Sequence, residues 1–82
     1  MSIMSTKPLV VYVMMMVEGG KEREIVEKAK VFPGVTEVKP VYGEYDIVAR
    51  VELDDLSILE QTVTQIRRIP GVVKTATLIS ME

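Results

Sequence analysis

Phe32-Pro33-Gly34-Val35 and Ile69-Pro70-Gly71-Val72 decide the reading of this chain. They are one device used twice, 37 residues apart. A large apolar residue ends a helical pattern, proline and glycine turn the chain, and valine opens a strand. Before the first copy, Ile25, Val26, Ala29 and Phe32 make one apolar stripe across Lys21–Phe32, with Glu and Lys between them. Before the second, Leu59, Val63, Ile66 and Ile69 keep helical spacing. Arg67 and Arg68 fall in the last turn, where cations complement the helix dipole. Two copies are too few for a solenoid, so the chain reads as two similar β-α-β halves.

The remaining elements follow from that frame. Leu9–Val17 is a β-rich run punctuated by Gly19-Gly20. Val35–Tyr42 is a second strand, with Pro40 marking a sheet edge because proline cannot donate to a ladder. Gly43-Glu44 is a turn, and Tyr45–Leu53 is a third strand with Tyr45, Ile47, Ala49, Val51 and Leu53 on one face. Asp54 and Asp55 open the second helix, with Ser57 and Glu60 at capping-box spacing. Val72–Met81 is the last strand. The fold class is therefore α+β, a ferredoxin-like β-α-β-β-α-β sandwich: an antiparallel four-stranded sheet with two helices on one face. Residues 1–8 are expected to form a short tail, and 9–82 a single domain.

The first strand carries a further implication. Leu9, Val11, Val13, Met15 and Val17 can face the helices, but Val10, Tyr12, Met14 and Met16 point the other way and are apolar too. A strand apolar on both faces needs cover on both. At 82 residues and 48% hydrophobic content, the chain has nothing left to supply it. Val10, Tyr12, Met14 and Met16 are thus the expected interface of at least a dimer.

Composition excludes much. The chain has no His, Cys or Asn, which removes Ser-His-Asp and Cys-His nucleophile systems and zinc sites. No metal and no cofactor is implied, and no enzyme activity. The Asp54-Asp55 pair suits helix capping better than a cation, and the Met14-Met15-Met16 run suits packing better than a soft metal. A net charge of −2 lacks the basic field of a nucleic-acid binder. No apolar run approaches membrane-spanning length, and no signal peptide is recognisable, so cytoplasm is expected.

One constellation remains: Tyr42-Gly43-Glu44-Tyr45-Asp46, a carboxylate beside a glycine turn at the start of an apolar strand. A solvated hairpin residue is the plain reading. A carboxylate awaiting an ammonium group is the functional one, with Thr75 and Thr77 on one face of the last strand able to add hydroxyls. Backbone N–H groups near Gly43 or on that strand would take a carboxylate.

Gly43-x-Tyr45-Asp46-Ile47, then Asp55-Leu56, then Arg68-Ile69-Pro70-Gly71-Val72 and Thr75-Ala76-Thr77 resemble the C-terminal effector-binding (RAM) domain of Lrp/AsnC regulators. The resemblance runs from Leu9 to Met81. It implies subunits paired through their sheets, dimers assembled into rings, commonly octamers, and an amino-acid effector bound between dimers. By matching position it names Gly43, Tyr45, Asp46, Leu56, Thr75, Thr77, Leu78 and Ile79 as ligand-binding. Full members carry a helix-turn-helix. With about eight residues before the first strand, this chain resembles the stand-alone form, which implies no direct DNA binding and a full-length regulator as a partner. The alternatives are a small cofactor-free dimeric ferredoxin-like enzyme and a purely structural partner of full-length regulators.

Overall fold

A computed structural model describes residues 8–80 of the chain. The elements are β1 (Leu9–Val17), α1 (Glu22–Ala29), β2 (Val35–Pro40), β3 (Ile47–Leu53), α2 (Leu56–Arg67) and β4 (Val72–Ile79). The strands form one antiparallel sheet in the order β2-β3-β1-β4, so β1 and β3 are central and Pro40 sits on an edge strand. The tail before Pro8 and the extension of the last strand to Met81 lie outside the described residues.

Alternation along β1 separates two faces. Val11, Val13 and Met15 are buried, as are Ile47, Ala49 and Val51 on β3. They pack against Ile25 and Ala29 of α1 and Leu59 and Ile66 of α2 in a single core. Burial of such a set is the dominant favourable term for a domain of this size. Thr62 is the one buried polar residue among those described, and its hydroxyl donates to the Pro33 carbonyl at 2.6 Å.

The repeat is carried into hydrogen-bond detail. Phe32 N–H donates to Ala29 O at 3.3 Å, and Ile69 N–H to Ile66 O at 3.2 Å. Val35 N–H then donates to Phe32 O, and Val72 N–H to Ile69 O. Gly34 and Gly71 both take positive φ, +81° and +102°, the left-handed conformation that favours glycine. Each edge strand opens with one bulged residue, Thr36 in β2 and Val73 in β4, again 37 apart.

Four expectations are corrected at element ends. α1 stops at Ala29 rather than Phe32, because the residue before proline is pushed out of helical geometry and the chain tightens into the corner turn. β2 stops at Pro40, and β3 starts at Ile47 rather than Tyr45. The intervening loop is closed by Val41 N–H donating to Asp46 O at 2.9 Å. No capping box forms at α2: Asp55 is the N-cap, accepting from Ile58 N–H at 3.1 Å, and Ser57 lies inside the helix.

Candidate effector site

α2 begins three residues earlier, relative to the repeat, than α1 does. Its Asp55 cap holds that extra turn, which carries Leu56. Between α2 and the edge strand β4 lies an open groove of about 400 Å³, within the size range of small-molecule pockets. Val11, Leu59 and Val63 line its apolar part, Leu56 and Ile79 stand at one end, and Glu60, Thr64, Arg67 and Thr77 supply polar groups. Leu56, Glu60, Val63 and Arg67 share a line on α2 because residues three and four apart stack on one helix face.

The second place is the β2–β3 loop. Gly43 has φ +125° with open space around its Cα, and Tyr42 beside it is fully exposed. Asp46 ties this loop to the end of β1. Its Oδ2 accepts from Val17 N–H at 2.8 Å, and its own N–H donates to Met15 O at 2.8 Å. The carboxylate therefore completes the sheet at the point where the β1–β4 register shifts.

One chain does not bring all the expected site residues together. Leu56, Thr77 and Ile79 line the α2–β4 groove. Gly43, Tyr45 and Asp46 belong to the loop at the other end of β1. Ile79 pairs with Val11, whereas Asp46 bonds at Met15 and Val17. The four to six strand residues between them span about 13–20 Å. Thr75 pairs with Met15 and Thr77 with Val13, so both lie on the helix-covered side. Leu78 pairs with Tyr12 and lies on the opposite face, apart from the other last-strand candidates.

That opposite face joins Leu78 to Val10, Tyr12, Met14 and Met16, and among the described residues no helix covers it. Tyr12 is 38% exposed and Leu78 52%. Arg50, opposite Tyr12, is held between Glu52 Oε1 at 2.8 Å and Thr36 Oγ1 at 2.9 Å. Hydrogen bonding to Glu52 and Tyr12 raises its already high pKa further. The three consecutive methionines split between faces, Met15 into the core and Met14 and Met16 outward, so they do not converge on one ion.

Glu60, Thr64 and Arg67 did not figure among the site residues expected from sequence. Helical spacing could have found them, since Glu60 and Arg67 fall on the Leu56 line and Thr64 lies one turn beyond Glu60. Glu60 sits at capping-box spacing in the sequence, but Asp55 makes the cap.

The Lrp/AsnC ligand binding domain model matches residues 10–82. The solved structure of FFRP-DM1 superimposes with a TM-score of 0.81 at 40% identity, covering 89% of this chain and 99% of that one. The HTH-type transcriptional regulator FL11 of Pyrococcus horikoshii is 27% identical over 90% of this chain and 49% of its own length. A homocitrate synthase of Sulfurisphaera tokodaii is 36% identical over 58 residues, 71% of this chain but 13% of that enzyme. The chain thus spans about half or less of these two curated relatives. The matched family model and the fold agree: this chain belongs to the Lrp/AsnC ligand-binding domain family.

Proposed function

We propose that this chain is an effector-binding and self-assembling module of the Lrp/AsnC type, that its effector is a free amino acid, and that the site is completed between subunits. The observation that carries this reading is the division of the family-matched residues between two ends of the sheet. A free amino acid presents its ammonium and carboxylate a few ångströms apart, so loop and groove can meet on it only if different subunits supply them. The uncovered apolar face of β1 and β4 supports pairing of two copies through their sheets, because a patch of this kind marks an interaction surface. A ring of such dimers, commonly an octamer in the family, would bring the loop of one to the groove of another. A segment similar to this chain within a homocitrate synthase supports a module that can be joined to different proteins. The module works in the cytoplasm without direct DNA contact, alone or joined to a full-length regulator.

The test is a thermal-shift panel of the twenty amino acids with light scattering in parallel. One or two amino acids should raise the melting temperature, since a ligand at 100 times its Kd stabilises by about 2.7 kcal/mol. Met14→Asp should lower the assembled mass by placing a charge in the apolar face. A flat panel, or a monomeric wild-type chain at micromolar concentration, would overturn the reading.

A further inference from the structure

Each half of the molecule has a groove between its helix and its edge strand. In the first half, Arg23, Val26 and Pro40 line about 280 Å³. Their counterparts 37 residues on, Glu60, Val63 and Thr77, line the groove of about 400 Å³. The exchanges alter its chemistry. Thr77 places a hydroxyl where the first half has an inert proline ring. Glu60 places a carboxylate where the first half has a cation.

A third exchange frees a guanidinium. In α1 the carboxylate of Glu27 holds Lys30 at 3.1 Å. The counterparts of those two are Thr64 and Arg67, so the intrahelical acid is gone. Among the described residues neither Arg67 nor Glu60 makes an ion pair, and both line the groove. They stand seven residues apart on one helix face, about 10 Å along the axis. Both line the groove of about 400 Å³, which has room for a small dipolar molecule. Val11, Leu59 and Val63 between them form an apolar floor, which strengthens electrostatic contacts by excluding water.

We propose that the α2–β4 groove holds a zwitterionic amino acid by both ends: Arg67 takes the carboxylate, Glu60 takes the ammonium group, and the side chain lies on the Val11–Val63 floor. Guanidinium suits this role because its planar fork meets a carboxylate in two parallel hydrogen bonds. This rests on the amino-acid reading above and assigns the head-group contacts within it. The Gly43–Asp46 loop of a neighbouring subunit then closes over the same ligand, with Asp46, whose Oδ2 already accepts from Val17 N–H, as a second contact for the ammonium group.

The experiment repeats the twenty-amino-acid panel on the wild-type chain and on Arg67→Gln, Glu60→Gln and Asp46→Ala. Calorimetry then follows with the amino acid that stabilises the wild type most, and with its carboxamide. Arg67→Gln and Glu60→Gln should each weaken binding by at least about tenfold, as expected for a lost charge-assisted contact, with circular dichroism unchanged. The carboxamide should bind the wild type correspondingly worse, and Arg67→Gln should weaken it no further. Arg67→Lys should restore part of the loss. If both Gln variants keep wild-type affinity while Asp46→Ala abolishes binding, the head-group assignment falls and the amino-acid reading stands. If no amino acid stabilises the wild type, both fall.

Discussion

The two halves of this molecule differ least at their corners and most along their grooves. Ile25 and Thr62, 37 residues apart, are both fully buried, and so are Ala29 and Ile66. The helix-end turns, the positive-φ glycines and the edge-strand bulges also correspond. α1 nevertheless has 8 residues and no side-chain N-cap, while α2 has 12 and an aspartate cap. The fold thus constrains the places where helix, corner and strand meet in the core. It leaves the outward half of each helix free to vary, and the larger, more polar groove lies where that freedom was used.

The corners offer the sharpest way to break the equivalence. A Cβ added to Gly34 would clash with the Leu53 side chain, whereas the nearest atom to one added at Gly71 is Ile25 Cδ1 at 3.1 Å, with the Lys21 side chain next. Both positions carry the left-handed penalty of about 1–2 kcal/mol, and only Gly34 adds a severe clash. Gly34→Ala should therefore cost about 3–4 kcal/mol and Gly71→Ala about 1–2 kcal/mol in urea unfolding. Equal costs would mean that Leu53 swings aside freely and that the two corners are interchangeable.

Next in size is the polar exception in the core. Thr62 occupies the place that Ile25 fills in the first half, yet its hydroxyl donates to Pro33 O, the carbonyl of the opposite corner. Thr62→Val keeps the shape and leaves that carbonyl without its donor, for an expected loss of about 1–2 kcal/mol. Ile25→Val, a pure packing change, should cost about 1 kcal/mol. An unaltered or raised stability for Thr62→Val would show that the hydroxyl is incidental and that both halves are held by packing alone.

These contrasts also explain what the sequence made legible. The order of elements, the central strands and the buried face of β1 follow from periodicity and from the repeated Pro-Gly corner, because both are local patterns. The bulges at Thr36 and Val73 were not legible, since they depend on register against a neighbouring strand. Asp46 was recognisable as a special carboxylate, but its bond to Val17 N–H joins residues 29 apart and only folding creates it. Of the candidate site, the pattern shows which residues can share a face but not which groove they line: Leu56, Thr77 and Ile79 line one groove together with Glu60 and Arg67, while Leu78 lies on the opposite face.

The smallest predicted effect concerns how the two helices begin. The Asp55 carboxylate accepts from Ile58 N–H, satisfying one of the four donors that a helix start leaves unpaired. At the corresponding place in α1, Lys21 offers no side-chain acceptor, and Glu22 instead bonds back to Gly20 N–H at 3.0 Å. Removing the cap from α2 should therefore matter, and truncating Lys21 should not. Asp55→Ala is expected to cost about 1 kcal/mol. Lys21→Ala should change stability by less than about 0.5 kcal/mol, the ordinary range for a surface substitution. Asp55→Ala should also fray the turn carrying Leu56, at the end of the groove, so amino-acid affinity should fall together with stability. If affinity stays fixed while stability drops, the added turn of α2 serves the fold alone, and the difference in length between the two helices has no bearing on the groove.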